Sequence, residues 1–274
     1  MWYKKLAAGS VSFLLLAGCS NLDFSKGFFQ EDVKTESVQP EVSSQSKESN
    51  KKNQEEVDKD FLLKSSFFNE VKQVNGKATI QNPDNSLVLV NKEFALPENY
   101  TPEDLVFPDV PFSFGDAEIP QRYLREEAAI ALKQLFNQAK KEQIELFAVS
   151  GFRSYERQQG IFNVEKDTKG EEEAKQAVAI PGQSEHQTGL AMDISSRSVN
   201  LEITEAFGET KEGKWVSENA HKFGFIIRYQ QGKEDITGYQ YEPWHLRYVG
   251  KEAAKVMFEH DLTLEEYFER VKKI

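Results

Sequence analysis

Two histidines and two carboxylates stand out in this 274-residue chain by their type and spacing. His186 and Asp193 lie seven positions apart in Ser-Glu-His-Gln-Thr-Gly-Leu-Ala-Met-Asp, and His245 ends Glu-Pro-Trp-His about fifty residues later. Imidazole nitrogens and a carboxylate oxygen are ligands that Zn²⁺ prefers, and catalytic zinc sites keep three protein ligands and one open position. The sequence therefore predicts one zinc ion held by His186, Asp193 and His245.

Glu242 stands three residues before His245, where its carboxylate could reach a water at the metal without being a ligand. A glutamate in that place would act as a general base for the attack of water on a carbonyl group. An isolated pair such as His-x6-Asp arises often by chance. Ser184, Gly189 and Ala191 fall at fixed positions around the first two ligands, and this combination favours a hydrolytic zinc site.

The pattern Ser-x-His-x-x-Gly-x-Ala-x-Asp followed by Glu-x-Trp-His resembles the VanY-type D-alanyl carboxypeptidases, in particular their LdcB/DacB-like branch of L,D-carboxypeptidase lipoproteins. A second segment, Ser150-Gly-Phe-Arg-Ser-Tyr-Glu-Arg-Gln158, matches the part of that family that binds the terminal carboxylate of the substrate. The resemblance implies that Arg153 pairs with this carboxylate or with the oxyanion, and that Gln158 is a second hydrogen-bond donor. Tyr155 and Ser184 are expected in the same pocket.

The resemblance implies a zinc carboxypeptidase that removes the C-terminal D-alanine from peptidoglycan stem peptides. We expect L,D-carboxypeptidase action on tetrapeptides, and D,D-carboxypeptidase action on pentapeptides is the alternative. A third hypothesis is a non-catalytic binding domain of the Hedgehog type, which shares this zinc-site architecture. The presence of Glu242, Arg153 and Gln158 favours an enzyme, because a binding domain has no need of this complete set of roles.

The first nineteen residues are predicted to be a lipoprotein signal peptide. Lys4 and Lys5 precede a short apolar run that ends in Leu-Ala-Gly-Cys19, a sequence that resembles the bacterial lipobox. Cys19 is the only cysteine, so the chain can form no intramolecular disulfide. We expect lipid on Cys19 to hold the protein at the extracellular face of the bacterial membrane, with a simple secretory signal as the alternative.

Residues 20–77 are predicted to be a flexible polar tether, because much of this stretch is rich in Ser, Gln, Asn, Lys and Glu and poor in apolar residues. Phe28-Phe29, Phe61-Leu-Leu and Phe67-Phe68 interrupt it. Short helices that dock on the domain and contacts near the membrane both explain these apolar pairs. The zinc carboxypeptidase domain is expected over residues 78–274.

Within that domain the hydrophobic patterns predict an α+β fold, with a mostly antiparallel sheet flanked by helices. Short apolar runs bounded by turn residues indicate strands, and the clearest amphipathic pattern indicates a helix over 121–143. Thr263 and Glu266 have the spacing of a capping box for a C-terminal helix. The predicted strands are 87–91, 144–150, 191–195, 225–229 and 244–249.

The formal net charge of −11 argues against nucleic acid as a partner and against electrostatic adhesion to anionic lipid. The family resemblance implies peptidoglycan stem peptides as the partner, and the lipobox implies a membrane reached through lipid on Cys19. The chain is expected to be a monomer.

Overall fold

The computed structural model describes residues 58–274, and the signal peptide, Cys19 and Phe28-Phe29 lie outside the described residues. A four-stranded sheet occupies the centre of the domain. Its strands are β7 (Phe147–Ser150), β8 (Ala191–Ser195), β9 (Phe225–Ile227) and β10 (His245–Tyr248). Their order is β7-β8-β10-β9 and every neighbouring pair is antiparallel, which confirms the predicted antiparallel sheet.

Shorter strands and seven α-helices complete the described part of the chain. The other strands are β1 (Leu62–Leu63), β2 (Val71–Val74), β3 (Lys77–Ile80), β4 (Phe94–Ala95), β5 (Leu105–Val106), β6 (Leu124–Arg125) and β11 (Lys272–Lys273). The helices are α1 (Glu126–Lys141), α2 (Tyr155–Lys169), α3 (Glu171–Ala177), α4 (Lys211–Asn219), α5 (Glu234–Thr237), α6 (Lys251–Glu259) and α7 (Leu264–Arg270). In residues 58–274 no helix is both long and apolar enough to cross a lipid bilayer.

The main core lies between helix α1 and the central sheet. Leu132 and Leu135 of the helix are fully buried in one cluster with Met192 and Ile194 of β8 and Leu246 of β10. The apolar residues of α1 recur at helical spacing, so one face of the helix can cover the sheet. This packing makes the sheet a rigid support for the side chains that project from its other positions.

Helix α1 begins five residues later than the predicted start at residue 121. Residues Pro120–Arg122 form a 3-10 turn instead. The carbonyl oxygens of Gln121 and Tyr123 accept hydrogen bonds from the amides of Gly151 and Phe152, at 2.8 Å each. The segment before α1 is thus bonded to the residues that follow β7, and it cannot also form helical hydrogen bonds.

The segment 87–91 was predicted as a strand and is not one, although Leu87–Val90 is buried. Leu87 and Leu89 point into a second apolar cluster, whereas Val88 and Val90 point into the main core. Its backbone carbonyl oxygens accept hydrogen bonds from side chains and not from a neighbouring strand. Arg247 donates to Val88 O at 2.8 Å, and Asn69 donates to Leu89 O at 2.8 Å. The apolar run is buried as predicted, but side chains from distant parts of the sequence bond to its backbone where a neighbouring strand was expected.

The folded domain begins earlier than the predicted boundary at residue 78. Strand β1 pairs in parallel with β11 at the C-terminus, and β2 forms a hairpin with β3. Phe61, Phe67 and Phe68 pack against the second apolar cluster, which includes residues of α6 and α7. Burial of these aromatic rings favours docking on the domain over contacts near the membrane. Residues 58–77 therefore belong to the domain and not to a tether.

The C-terminal helix has the predicted capping box. Thr263 Oγ1 accepts a hydrogen bond from the Glu266 amide at 3.1 Å, and the Glu266 carboxylate accepts one from the Thr263 amide at 2.9 Å. The helix ends at Arg270, so the chain is free to extend into β11.

Candidate active site

Two of the predicted metal ligands lie side by side on neighbouring strands of the central sheet. Asp193 on β8 lies opposite His245 on β10 in the antiparallel register. Directly opposite residues bring their Cβ atoms to within about 5 Å, so short side chains can meet at one point. His186 comes from a buried 3-10 turn, Glu185–Thr188, that precedes β8.

Gly189 allows this turn to enter β8. Its φ of +67° lies in the left-handed region that glycine adopts without cost. A Cβ at this position would lie 2.9 Å from Leu105 Cδ2 and 3.0 Å from Arg125 Cγ. The glycine of the sequence pattern is therefore required by both backbone conformation and space.

The three side chains converge. One donor atom from each of His186, Asp193 and His245 lies within 4.8 Å of the others. Asp193 Oδ2 is 3.3 Å from His186 Nε2, and Asp193 Oδ1 is 3.2 Å from His245 Nδ1. His186 thus presents Nε2 to the cluster and His245 presents Nδ1.

A backbone hydrogen bond fixes the orientation of the His186 ring. Its Nδ1 lies 2.8 Å from the carbonyl oxygen of Gly151, which follows β7. A carbonyl oxygen can only accept, so Nδ1 carries the proton and Nε2 is free to be a ligand.

Burial and neighbouring charges control the protonation of the cluster. Burial opposes ionisation of Asp193, but the adjacent His186 and His245 hold the pKa of that carboxyl well below its usual range. Burial also opposes protonation of His245, yet Asp193 and Glu185 raise the pKa of its ring to about 9. Because a metal ligand must give up its proton, binding a cation here would release a proton from His245 at neutral pH.

The donor set fits zinc. Two imidazoles and one carboxylate make up a three-ligand set that leaves one position open for water or substrate. Asp193 Oδ1 is buried and has no hydrogen-bond donor among the residues that the structure describes. A cation at this point would satisfy that oxygen.

Glu242 lies beside the cluster without being part of it. Its Oε2 is 3.6 Å from His245 Nδ1, and 26% of its side chain remains exposed. Burial raises the pKa of its carboxyl to about 7, with the charge of Asp193 acting in the same direction. A carboxyl group with that pKa can both accept and return a proton near neutral pH.

Arg153 shares a cavity of about 260 Å³ with Glu242 and the three ligand residues. Its guanidinium donates to Gln158 Oε1 at 2.9 Å and lies 3.4 Å from Ser150 Oγ. In the described part of the chain no carboxylate oxygen lies within 4.0 Å of this guanidinium. Burial lowers its pKa, although Asp193 and Glu242 oppose that effect. A guanidinium stays charged in proteins, so the cavity contains a partly buried cation without an anionic partner in residues 58–274.

Gln158, which is predicted to donate a hydrogen bond to the substrate, lines the same cavity and contacts Arg153. It is almost completely buried, and its amide nitrogen donates to Ala179 O at 2.6 Å. Its oxygen accepts from Arg153. Gln158 therefore orients the guanidinium, with one of its donors already occupied by the protein backbone.

Of the two other predicted pocket residues, the structure places Ser184 in the cavity wall and Tyr155 outside it. Tyr155 begins helix α2, and its ring lies beside Gly182. Tyr155 does not line the cavity in this structure, and its role in substrate binding stays a prediction. Tyr229, Tyr239 and Trp244 line the cavity as well and were not singled out from the sequence.

Comparison with known proteins agrees with this geometry. The family model for D-alanyl-D-alanine carboxypeptidase of the VanY type matches residues 121–251, which contain all of the residues named above in the cavity wall. The chain is 58% identical over 273 residues to the Bacillus subtilis (strain 168) protein YodJ, covering 100% of this chain and 98% of that protein. The chain belongs to the VanY family.

Two solved structures of VanY-type proteins are similar to this fold. The LdcB LD-carboxypeptidase, solved for the basis of its peptidoglycan recognition, is 66% identical with a TM-score of 0.77, covering 78% of this chain and 100% of that one. A mutant of the D,D-pentapeptidase VanY from a VanB-type vancomycin-resistance cassette, in complex with Zn(II), is 34% identical with a TM-score of 0.55. That match covers 67% of this chain and 98% of the other.

Proposed function

We propose that this VanY-family protein is a zinc-dependent L,D-carboxypeptidase that removes the terminal D-alanine from tetrapeptide stems of peptidoglycan. The observation that supports it best is the partly buried Arg153 guanidinium, which has no carboxylate partner in residues 58–274 and shares a cavity with Glu242. A free C-terminal carboxylate fits this cation, because the planar guanidinium can form two parallel hydrogen bonds to it. Binding at Arg153 places the last peptide bond next to the metal-ligand cluster.

His186 Nε2, Asp193 and His245 Nδ1 would hold the metal. When bound there, zinc supplies a Lewis acid that polarises the scissile carbonyl and lowers the pKa of water. Arg153 binds and orients the terminal carboxylate, and Gln158 keeps the guanidinium in place. This fixed orientation limits cleavage to the last residue of the peptide.

Glu242 moves the proton. Its carboxylate takes a proton from the attacking water, whose oxygen becomes part of the new carboxylate on the shortened peptide. The C–N bond breaks, and Glu242 returns the proton to the amine of the departing D-alanine. Its position beside His245, at 3.6 Å, allows this transfer without making it a metal ligand.

We favour tetrapeptides over pentapeptides as substrates because this chain is more similar in sequence to an L,D-carboxypeptidase than to a D,D-pentapeptidase. The LdcB LD-carboxypeptidase is 66% identical to this chain, whereas the D,D-pentapeptidase VanY is 34% identical. Incubation of the zinc-loaded protein with purified tetra- and pentapeptide muropeptides, read by mass spectrometry, tests this directly. We expect loss of one alanine from the tetrapeptide. Cleavage of the pentapeptide alone would assign D,D-carboxypeptidase activity, and no cleavage of either would favour a binding domain.

We also propose that the protein is a lipoprotein at the outer face of the bacterial membrane. The support is the sequence Leu-Ala-Gly-Cys19 after a short apolar run with two lysines before it. Two or more acyl chains on Cys19 would anchor the protein stably, whereas one alone gives marginal binding. This location would bring the domain to its peptidoglycan substrate.

A further inference from the structure

A fully buried carboxylate lies behind the metal-ligand cluster. Glu185 directly precedes His186, and its side chain has no exposed surface. Its Oε1 accepts hydrogen bonds from Arg228 Nε at 2.8 Å and from Arg247 Nη1 at 2.6 Å. The two arginines therefore hold Glu185 Oε1 from two sides, and removing the carboxylate would leave the Arg247 guanidinium without an acidic partner among the described residues.

Both arginines are themselves fixed. Arg228 forms a bidentate pair with Glu265, at 2.8 Å and 2.6 Å, and Arg247 donates to the backbone oxygens of Val88 and Tyr248 at 2.8 Å and 3.0 Å. Neither arginine side chain is exposed. With two positive and two negative charges, the network is balanced and leaves Glu185 little freedom to rotate.

The second oxygen of Glu185 faces a metal ligand. Glu185 Oε2 lies 3.4 Å from His245 Nε2, on the side of the ring opposite the cluster. Both atoms are buried, and neither makes a hydrogen bond of standard geometry in residues 58–274, so a proton on Nε2 would give each atom the partner that it lacks. His245 and Arg247 are two positions apart on β10, so both side chains project from the same face of the sheet toward Glu185.

We propose that Glu185 is a positioning residue, which accepts the Nε2 proton of His245 and so directs the unprotonated Nδ1 to the metal. The two ligand histidines then differ in what holds them, since His186 donates to the neutral carbonyl of Gly151. A carboxylate behind a ligand imidazole fixes its tautomer and increases its basicity. The arginine network keeps that carboxylate in place. This inference rests on the proposed metal site.

The test compares two variants that each remove one carboxylate charge from the same network. Glu185→Gln loses the charge that faces His245, whereas Glu265→Gln loses a charge that touches only Arg228 and Asn91 in the described structure. Zinc affinity is measured by competition with a chromophoric chelator, and thermal unfolding of the metal-free proteins is recorded alongside. We expect Glu185→Gln to bind zinc about 10-fold to 100-fold more weakly and Glu265→Gln to stay within about threefold of wild type. Equal affinities in the two variants would overturn the proposal.

A second measurement needs no variant. In the zinc-loaded wild-type protein labelled with ¹⁵N-histidine, NMR identifies which nitrogen of His245 carries the proton and which binds the metal. We expect the proton on Nε2 and the metal on Nδ1, and the opposite arrangement would overturn the proposal even if Glu185→Gln failed to fold. Neither readout depends on peptide hydrolysis. A protein that binds zinc in this way without releasing D-alanine would therefore refute the proposed function alone.

Discussion

Replacing Arg153 with alanine separates recognition of a free C-terminus from peptide hydrolysis in general. The guanidinium lies in the same cavity as Glu242 and has no carboxylate partner within residues 58–274, so the substrate carboxylate is the anion that it would bind. Removing it leaves the substrate charge in the cavity unpaired. Breaking a buried pair costs about 3–5 kcal/mol. Since each 1.36 kcal/mol is tenfold in rate, kcat/KM should fall by about 10²–10³ or more.

The assay is a double cycle of enzyme variant against substrate. Release of the terminal alanine or alanine amide is measured for wild type and Arg153→Ala, on tetrapeptides with a free or an amidated C-terminus. Amidation should severely reduce cleavage by the wild type and affect Arg153→Ala far less. Lysine at the position should restore only part of the activity, because an ammonium group cannot form the two parallel hydrogen bonds.

Arg157 supplies the matched control. It is an exposed arginine four residues further along, on α2, and it does not line the cavity. Arg157→Ala should leave kcat/KM nearly unchanged on both substrates. Losses that simply add in the Arg153 cycle would show that the guanidinium and the carboxylate do not meet, and the reasoning for an exopeptidase would be refuted.

Three further predictions concern stability and location. A chain that starts at residue 78 should lose at least about 3 kcal/mol of unfolding free energy in urea relative to one that starts at 58, because it lacks Leu63 and the partly buried phenylalanines of residues 58–77. Equal stability would contradict the corrected boundary. Burial opposes ionisation of Glu266, but the Thr263 amide and Lys233 outweigh it and lower its pKa. Its contribution to stability is therefore present above the unfolded pKa of about 4.3 and lost as pH falls through the folded pKa, so Glu266→Gln should be less stable than wild type at pH 7 and match it in acid; a gap that is independent of pH would contradict this. Cys19→Ser should move active enzyme from the membrane to the soluble fraction, and continued membrane association in high salt would count against the lipid anchor.

The parts of the site that the sequence could predict are those set by local spacing. His186 and Asp193 are separated by one turn and the start of a strand, and Glu242 and His245 by three residues, so short segments bring each pair together. The capping box of Thr263 and Glu266 was predictable for the same reason. Antiparallel pairing then joins the two halves of the site.

Other features depend on contacts between distant segments. The carboxylate of Glu185 meets Arg228 and Arg247, which lie 43 and 62 residues away in sequence. Its place beside His186, and the position of Arg247 two residues after His245 on a strand, were the signals that could have indicated it. The hydrogen bond of the Gln158 amide could not be predicted, because the backbone oxygen that accepts it belongs to Ala179, 21 residues away.

The boundary at residue 78 was wrong because composition does not show where a polar segment docks. Phe61, Phe67 and Phe68 are separated by polar residues, and their burial depends on the surface formed by α6 and α7 at the far end of the chain. The prediction of a strand over 87–91 was wrong for a related reason. A short apolar run between turn residues is typical of a strand, but the backbone of this run bonds to the side chains of Arg247 and Asn69.

Zinc content and turnover of Glu242→Gln, measured on one sample, test most directly whether this is a hydrolytic zinc site with Glu242 as its base. The carboxylate lies beside the ligand cluster and outside it, at 3.6 Å from His245 Nδ1. We predict about one zinc per chain, as in wild type, and no detectable release of D-alanine from the tetrapeptide. Loss of the metal, or turnover close to that of wild type, would contradict the account.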